Sequence, residues 1–352
     1  MEIRIITIHS IHNFGSVLQA YALQKFLLNS GYSVEVIDYR PTYLDQGRKK
    51  WRTYLGRLLN LRSYFKRKKK FNDFIGNNIK TTPKCFFHFN ELYQLDRSSI
   101  VFIAGGDQLW NDYHFSGQDE SFKLTFVNKG TKMAFGTSMG RDNYSKPEID
   151  NLINKVKDFK FIGLREKSSV QFLIESKYKN IKHVVDPVLL LDIKEYENIL
   201  IEPKLSKKYV VVYLVKKSKL LDQIIKYIRD NFDYEIVHIC GFVKKCDNDH
   251  FEKHSGPQEI LGYIKNAEMI ISGSYHATLF SIYFNKQFVS LLPHENTNAR
   301  IIELLKMIGL FHRIIRHTDD LSKISQIINY ATANSIIKNF IDDSKSDLLS
   351  NL

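Results

Sequence analysis

A histidine follows a buried-strand pattern in "IISGSYHATLFS", residues 270–281. The apolar run ends in Ser272-Gly273-Ser274, and a helix is predicted to begin at or near Tyr275. His276 then lies in the first turn of that helix, beside backbone amides that favour anions. A histidine in this place suits proton transfer near neutral pH. A hydrogen-bonded structural histidine is the alternative interpretation.

Two arginines stand at positions suited to binding an anionic ligand. Arg165, in "GLREKSS" (163–169), lies between a predicted strand end and a helix start, and Arg300, in "NTNARIIELL" (296–305), lies early in a later helix. A guanidinium can donate two parallel hydrogen bonds to a carboxylate or a phosphate. A solvated surface arginine is the alternative at each position.

The turn after the first predicted strand, "HSIHNFGS" (9–16), carries His12 and Asn13. Gly15 permits a tight turn, and Ser16 is predicted to cap the helix that follows. The amides freed at Val17 and Leu18, in the first turn of that helix, would attract an anion or a sugar hydroxyl. The turn is not a GxGxxG fingerprint, so a dinucleotide is not indicated. A capped turn with solvated polar residues explains the same pattern.

A second polar loop, "AGGDQLWND" (104–112), follows the third predicted strand. Its two glycines allow the backbone to approach a ligand, and Asp107 and Gln108 offer hydrogen-bonding groups. A glycine turn with surface polar residues is the alternative. Asp186, in "VVDPVLLL" (184–191), is predicted to form a turn before Pro187.

Strand and helix patterns alternate along the chain, and these elements must position the polar residues. Many strand candidates are continuous apolar runs, which is typical of parallel sheets buried on both faces. We predict an α/β fold with two Rossmann-like doubly wound domains, residues 1–200 and 208–315, followed by a helical tail, 316–352. The ligand site is expected in the interdomain cleft, at the carboxyl ends of the strands. The predicted strands are 3–9, 32–39, 99–105, 131–138, 159–165, 181–186, 208–215, 234–240, 267–274 and 287–293.

Composition favours a cytoplasmic location. The 352 residues are 43% hydrophobic and 25% charged, as in ordinary globular proteins, and no apolar run is long enough to span a membrane. The start, "MEIRIITIHS", shows no export pattern. The three cysteines form no CxxC pair, which fits reduced thiols.

A zinc site is not predicted. Cysteine and histidine cluster in one region, but their spacing matches no common ligand pattern. We therefore predict no metal. The residues concerned are His238, Cys240, Cys246, His250 and His254.

The net charge of +13 comes from one segment. Residues 48–70 contain 11 Lys and Arg and no acid; without them the chain has 40 basic and 38 acidic residues, a net charge of +2. The segment predicts an amphipathic helix with one apolar stripe. It could pack this stripe on the protein, lie on an anionic membrane, or bind nucleic acid, but the helical spacing of its aromatic residues and the absence of a recognition fold disfavour nucleic acid. The stripe comprises Trp51, Tyr54, Leu55, Leu58, Leu59 and Phe65.

Seven sequence motifs of this chain occur in the same order as in a known protein family. They are "HNFGSVLQAYALQKFL", "GGDQLWN", "FGTSMG", "LREKSS", "VVDPVLLL", "SGSYHATLFSIYFNKQFVSL" and "NARIIELLKMIGL". In this order the chain resembles the polysaccharide pyruvyltransferase family from about residue 3 to residue 315. Each motif is weak alone, and seven in register are fairly specific for membership.

The resemblance implies a fold and a reaction. The fold would be a GT-B-like arrangement of two Rossmann-like domains. Phosphoenolpyruvate would be the donor co-substrate, with no other cofactor. The product would be a pyruvate ketal on a hexose of a surface polysaccharide or of its lipid-linked precursor.

The resemblance also implies roles for individual residues. Arg165, of the "LRE" motif, and His276, of the late "SxH" motif, would line the donor site and carry catalysis. The N-terminal loop and the "GGDQLWN" loop would form the acceptor side, with His12, Asn13, Asp107 and Gln108.

The chain departs from the family pattern in the donor motif. Two residues before the histidine, some members carry an arginine and others a serine, and this chain has Ser274. Many members carry an aspartate where this chain has Gly273. Ser274 would still contact the donor, and Arg300 is our candidate for the missing positive charge.

Two other functions share the same fold pattern. A GT-B glycosyltransferase that uses a nucleotide sugar is one, although no acidic pair for a nucleotide ribose is evident in the second domain. A non-catalytic member of a glycan assembly complex is the other. Phosphate release, nucleotide release or neither would distinguish the three.

Overall fold

The computed structural model describes residues 1–46, 61–141, 143–175, 180–216, 218–239, 249–292 and 298–352. The chain forms two compact units. The N-terminal unit comprises Met1–Leu61, Phe71–Leu191 and Lys338–Leu352, and the C-terminal unit comprises Arg62–Lys70 and Asp192–Ile337.

The N-terminal unit is built on a six-stranded parallel sheet. Its strand order is β2-β1-β3-β4-β5-β6, so the chain reverses its direction of progress between β1 and β3. The carboxyl ends of strands at such a reversal are the usual ligand site of an open α/β sheet. The strands are β1 (Glu2–Ile6), β2 (Ser33–Val36), β3 (Ile100–Gly105), β4 (Thr131–Thr137), β5 (Phe161–Leu164) and β6 (Ile181–His183).

Helices lie between these strands in sequence. The first is almost wholly buried, with 12 of its 16 residues inside the protein, as expected of a helix that follows a central strand. In the described residues the helices are α1 (Phe14–Asn29), α2 (Tyr43–Gln46), α3 (Leu61–Asn78), α4 (Phe115–Gln118), α5 (Lys146–Val156) and α6 (Lys167–Glu175). Residues Arg62–Lys70 of α3 belong to the C-terminal unit. Short 3-10 helices span Phe89–Leu95, Glu120–Lys123 and Pro187–Leu190.

The C-terminal unit contains a five-stranded parallel sheet. Its order is β11-β10-β7-β8-β9, with the reversal between β7 and β10. The strands are β7 (Tyr209–Tyr213), β8 (Glu235–Ile239), β9 (His250–Glu252), β10 (Met269–Ser272) and β11 (Gln287–Ser290). The helices are α7 (Ile193–Glu197), α8 (Leu221–Asn231), α9 (Pro257–Asn266), α10 (Tyr275–Tyr283) and α11 (Ala299–Met307), with 3-10 helices at Phe311–Arg313 and Thr318–Ser325.

A final helix, α12 (Ala331–Asn351), occupies most of the segment predicted as a helical tail. Its residues from Lys338 onward belong to the N-terminal unit. There Ser344 Oγ accepts a hydrogen bond from Val185 N at 3.0 Å, and the Phe340 ring packs on His183 with centroids 4.6 Å apart. These contacts attach the end of the chain to the segment around β6.

A buried arginine holds together the last part of the C-terminal unit. Arg313 donates from Nε to Phe288 O at 2.8 Å and from Nη1 to Lys323 O at 2.6 Å and Gln326 O at 3.0 Å. Burial lowers the pKa of this guanidinium to about 10, so it remains a cation at neutral pH. The charge is stabilised by carbonyl oxygens, because no carboxylate is bonded to it in the described chain.

The predicted α/β class is confirmed, with two parallel Rossmann-like sheets. Within the residues described, no helix is both long and apolar enough to cross a membrane.

Candidate active site

The sharpest predicted motif lies at the strand reversal of the C-terminal unit. β10 ends at Ser272 and α10 begins at Tyr275, as predicted. Ser274 is the N-cap residue, and its side chain accepts a hydrogen bond from Ala277 N at 3.5 Å. Ser272 Oγ accepts from Ser274 N at 3.0 Å and donates to Ser274 O at 2.9 Å, which fixes the turn.

His276 lies in the first turn of α10 and is only 6% exposed. Its ring meets the ring of Tyr275 almost at right angles, with centroids 5.2 Å apart. The guanidinium of Arg300 lies over the same Tyr275 ring, 5.1 Å from its centroid. Tyr275 therefore connects His276 and Arg300, and with Ser274 the three donor-side candidates of this unit form one cluster.

Buried hydroxyl groups fix the position of α10, the helix that carries His276. The hydroxyls of Thr278 and Ser290 are 2.9 Å apart, which joins α10 to β11. Ser281 Oγ donates to Ala277 O at 2.7 Å within the helix. All four residues are fully buried. His276 thus stands on a rigid support, as a reacting group needs.

A cavity of about 440 Å³ opens beside the start of α11. Its polar lining comes from Ser218, Asn298 and Arg316, and apolar side chains such as Leu291 form much of the rest. A concave apolar space with a few polar groups is the usual form of a small-molecule site. The same edge of the C-terminal unit thus offers both a cationic cluster and a cavity.

The strand reversal of the N-terminal unit brings Ser16 and Asp107 together. Ser16 Oγ donates a hydrogen bond to Asp107 Oδ2, and Asp107 Oδ1 accepts from Gln108 N at 2.8 Å. Asp107 has φ +54°, a strained backbone for a residue with a side chain. A Cβ added at Gly106 would lie 1.5 Å from Gln19 Oε1, so only glycine fits before it.

The predicted serine cap of α1 is wrong. Asn13 caps the helix instead, since its side chain accepts a hydrogen bond from Gly15 N at 3.0 Å. The amide of Val17, predicted to be open to a ligand, donates to Asn13 O at 3.1 Å. Ser16 lies inside the helix, where its hydroxyl is directed to Asp107.

The four predicted acceptor residues, His12, Asn13, Asp107 and Gln108, have different surroundings. Asn13 is exposed while its side chain caps α1. The His12 ring packs on Phe71 of α3, with centroids 5.5 Å apart. Asp107 and Gln108 are half-buried, and a Cβ added at Gly140 would lie 2.7 Å from Gln108 Nε2.

Sequence reasoning missed a hydrogen-bonded cluster of His9, Asp38 and Arg40 at the ends of β1 and β2, in which His9 and Asp38 are buried and Arg40 is exposed. His9 Nε2 lies 3.0 Å from Asp38 Oδ1, and Arg40 donates to the two carboxylate oxygens at 2.6 and 3.0 Å. Burial alone would raise the pKa of Asp38, but the hydrogen bonds from His9 and Arg40 outweigh it and lower the pKa. The signal was His9 and Asp38 at the ends of two predicted strands.

Arg165 belongs to the N-terminal unit, whereas Ser274, His276 and Arg300 belong to the C-terminal unit. The side chain of Arg165 is 1% exposed and forms an ion pair with Asp186, which is 0% exposed. Asp186 also accepts a hydrogen bond from Val188 N at 3.0 Å, which forms the turn predicted before Pro187.

His238 and His250, from the region rich in cysteine and histidine, each lie beside a carboxylate. His238 Nε2 lies 2.8 Å from Asp249 Oδ2, and His250 Nε2 lies 2.9 Å from Glu252 Oε1. Cys240 and Cys246 lie outside the described residues. The described parts of the chain contain no group of three or more His, Cys, Asp or Glu residues placed to hold a metal.

Comparisons with known proteins agree on family and fold. The sequence profile of the family described as polysaccharide pyruvyl transferase matches residues 13–295. A comparison with curated proteins finds no significant match.

Solved structures match the whole chain in fold at low identity. UDP-N-acetylglucosamine 2-epimerase from Rickettsia bellii has a TM-score of 0.58 at 11% identity, covering 99% of this chain and 96% of that one. The Methanocaldococcus jannaschii UDP-GlcNAc 2-epimerase, in complex with UDP-GlcNAc and UDP, has 0.55 at 13%, covering 96% and 99%. A mutant of S. aureus TarM, in complex with Fondaparinux, alpha-GlcNAc-glycerol and UDP, has 0.52 at 10%, covering 99% and 96%. These neighbours are GT-B enzymes, which confirms the predicted fold class.

Proposed function

The chain belongs to the polysaccharide pyruvyl transferase family, and from that premise we propose that it transfers pyruvate from phosphoenolpyruvate to a hexose. The acceptor would be part of a surface polysaccharide, such as a capsule or exopolysaccharide, or of its lipid-linked precursor. The product would be a pyruvate ketal. The observation that carries this proposal is the cluster of Ser274, His276 and Arg300 around the start of α10.

The donor has two anionic groups that need fixed partners. Its phosphate carries about −1.5 to −2 at neutral pH, and its carboxylate adds one more negative charge. Arg300 supplies a cation at this cluster, and the first amides of α10 favour an anion. Ser274 contributes the turn and its hydroxyl. Arg300 would thus supply the positive charge that some family members obtain from an arginine at the position of Ser274.

The reaction requires two proton movements. The methylene carbon of phosphoenolpyruvate gains a proton and becomes a methyl group, which leaves the adjacent carbon cationic. One sugar hydroxyl attacks that carbon and a second hydroxyl displaces phosphate, closing the ketal ring. One hydroxyl proton is balanced by the proton gained at the methyl carbon, and the other leaves with the phosphate. We assign His276 to this proton transfer or to the leaving phosphate.

The N-terminal unit would supply the acceptor contacts. Asp107, already bonded to Ser16, is our candidate to orient or deprotonate an acceptor hydroxyl. Gln108 and His12 would contribute hydrogen bonds, and Asn13 would contribute through the helix start it caps. Arg165 is our candidate for a donor-site residue because it lies in the "LRE" motif. Its partner within the protein is Asp186, with which it forms an ion pair.

A glycosyltransferase reaction with a nucleotide sugar is the second candidate. The cavity of about 440 Å³ in the C-terminal unit has room for a ligand larger than phosphoenolpyruvate. The named neighbours from M. jannaschii and S. aureus were solved with UDP. Against this candidate, no acidic pair for a nucleotide ribose is evident in the sequence of the second domain.

Product analysis separates the two reactions. The purified full chain is incubated with hexose acceptors and either phosphoenolpyruvate or a panel of nucleotide sugars. We expect acceptor-dependent release of inorganic phosphate from phosphoenolpyruvate and no release of nucleotide. Nucleotide release without phosphate release would favour the glycosyltransferase instead.

We also propose that the basic segment binds an anionic membrane surface, at the inner face of the membrane. Residues 48–60, including most of the predicted apolar stripe, lie outside the described residues. In the described part, α3 presents Arg62, Phe65, Lys66 and Lys69 on one exposed face, with Phe65 58% exposed. An exposed aromatic ring among cations is the pattern of an interfacial helix.

Neutralising two of these cations should weaken membrane binding. Each basic residue near an anionic surface contributes about 1 kcal/mol, so Arg62→Gln/Lys66→Gln should lower partitioning onto anionic vesicles by roughly 30-fold. Sedimentation with phosphatidylcholine vesicles, with and without phosphatidylglycerol, measures this. The control variant Lys129→Gln/Lys157→Gln replaces two exposed lysines elsewhere on the surface and should pellet as the unmodified protein does. Equal and negligible pelleting of the unmodified protein with both vesicles would refute membrane binding.

A further inference from the structure

Two aromatic side chains are exposed after β3, one in the loop and one at the start of α4. Tyr113 is 62% exposed and Phe115 is 65% exposed, whereas Trp110 of the same loop is buried. The loop starts at Asp107 and Gln108, the acceptor candidates of the N-terminal unit. Two large exposed aromatic residues only two positions apart in the chain suggest a binding surface.

The ring of Tyr113 is held in place by Arg141. The guanidinium lies over the ring, 4.1 Å from its centroid, and also 4.5 Å from the ring of Tyr144. Arg141 Nη1 donates to Glu148 Oε1 at 2.7 Å, and this hydrogen bond, with those from the Ser145 hydroxyl and backbone amide, lowers the pKa of Glu148 to about 2. Glu148 is therefore a carboxylate across the physiological range. Arg141 covers one face of Tyr113 and leaves much of the ring in solvent.

Phe115 has a comparable support. Its ring packs on Tyr43, with centroids 5.9 Å apart. Tyr43 in turn donates its hydroxyl to Asp119 Oδ2 at 2.7 Å, and Tyr39 donates to the same oxygen at 2.9 Å. The Phe115 ring thus rests on a side chain whose own position is fixed by a hydrogen bond.

Residues next to Phe115 and next to Arg141 contact Gln108. Ser116, next to Phe115, donates its hydroxyl to Gln108 O at 3.2 Å. Gly140, next to Arg141, has φ +70° and lies so close to Gln108 that an added Cβ would be 2.7 Å from its side-chain nitrogen. The aromatic rings and the acceptor candidates therefore belong to one packed loop cluster.

We propose that Tyr113 and Phe115 form an aromatic platform on which a pyranose ring of the acceptor glycan stacks. This inference rests on the proposed function and names the acceptor subsite beyond the reacting sugar. One face of a pyranose presents C–H groups, which pack on an aromatic ring, while its hydroxyls point outward to polar groups. Rigid aromatic side chains lose little conformational entropy when they bind.

The surroundings of the platform favour a glycan over a membrane. The acidic groups of this region in the described chain are Asp112, Asp119, Glu120 and Glu148. Its cations are Arg141, paired with Glu148, Lys155, paired with Glu120, and Lys123, which is buried. With four acids and three cations among these residues, the rim has no excess positive charge to attract an anionic lipid surface, whereas sugar hydroxyls can donate hydrogen bonds to its carboxylates.

Glycan binding without donor tests the platform. Oligosaccharides containing galactose, glucose or N-acetylmannosamine are titrated into the purified protein, and the dissociation constant of the best binder is measured. Tyr113→Ala and Phe115→Ala should each weaken it by roughly 5- to 10-fold, in the range of one aromatic contact. Tyr113→Phe keeps the ring and should bind as the unmodified protein does. Tyr93→Ala is the matched control, because Tyr93 is 47% exposed in another segment, Phe89–Leu95.

Two results would overturn the platform. One is unchanged glycan affinity in both alanine variants with unchanged melting temperatures. The other is that the unmodified protein binds none of the oligosaccharides. The donor is absent from this experiment, so platform and reaction can fail separately: ring-dependent glycan binding without phosphate release would count against the proposed reaction and leave the platform standing.

Discussion

Replacing His276 with glutamine is expected to lower kcat for pyruvyl transfer by at least about 100-fold. A positioned proton-transfer group contributes typically 10²–10⁴-fold, and glutamine cannot exchange a proton in this way. Phosphate release from phosphoenolpyruvate at saturating donor and acceptor measures the effect. His312→Gln, an exposed histidine in the same unit, is the control and should keep kcat within about twofold of the original value.

The kinetic constants also distinguish the two roles left open for His276. Loss of proton transfer lowers kcat with little change in KM for phosphoenolpyruvate, whereas loss of a ground-state phosphate contact raises that KM. A His276→Gln protein with both constants unchanged would remove this residue from the active site.

Replacing Arg165 with methionine is expected to destabilise the protein by about 3–5 kcal/mol. The change leaves Asp186 as an uncompensated buried charge, since that side chain is 0% exposed. Urea unfolding measures the loss. The double variant Arg165→Met/Asp186→Asn should recover much of it, because asparagine is neutral and can still accept the hydrogen bond from Val188 N. A stable Arg165→Met protein would contradict the role of this ion pair.

The same double variant tests the assigned donor role of Arg165. If Arg165 also contacts the donor, kcat/KM for phosphoenolpyruvate should stay at least about tenfold low although stability returns, because a charge-assisted contact contributes about 1.5–3 kcal/mol. Recovery of kcat/KM together with stability would limit Arg165 to its pairing with Asp186.

Much of the fold could be read from apolar runs and their spacing. The start of α10 at Tyr275 was predicted correctly because a buried strand, a glycine and a capping serine occur in immediate succession. Strand ends were predicted too long, since apolar residues such as Val184 and Val185 stay buried after β6 has ended. β9 was missed because three residues at a sheet edge, His250–Glu252, carry no alternation or apolar run.

The site was less predictable, because its contacts join distant parts of the chain. The sequence indicated that Arg165 and Asp186 each end a strand, but their pairing depends on β5 and β6 being neighbours. The capping of α1 by Asn13 instead of Ser16 is a matter of side-chain geometry, since both residue types are good caps. The exposed rings of Tyr113 and Phe115 gave no periodic signal, because they lie in an irregular loop and on a single turn of helix.

The mass of the acceptor after reaction tests the central claim most directly. The purified chain is incubated with phosphoenolpyruvate and simple galactosides, glucosides or N-acetylmannosaminides, and each acceptor is weighed by mass spectrometry. We predict that one acceptor gains the mass of one pyruvate less one water, with one phosphate released for each ketal formed. Lipid-linked hexoses are then added to the panel. If the mass of every acceptor stays unchanged while the protein is folded, the account is contradicted.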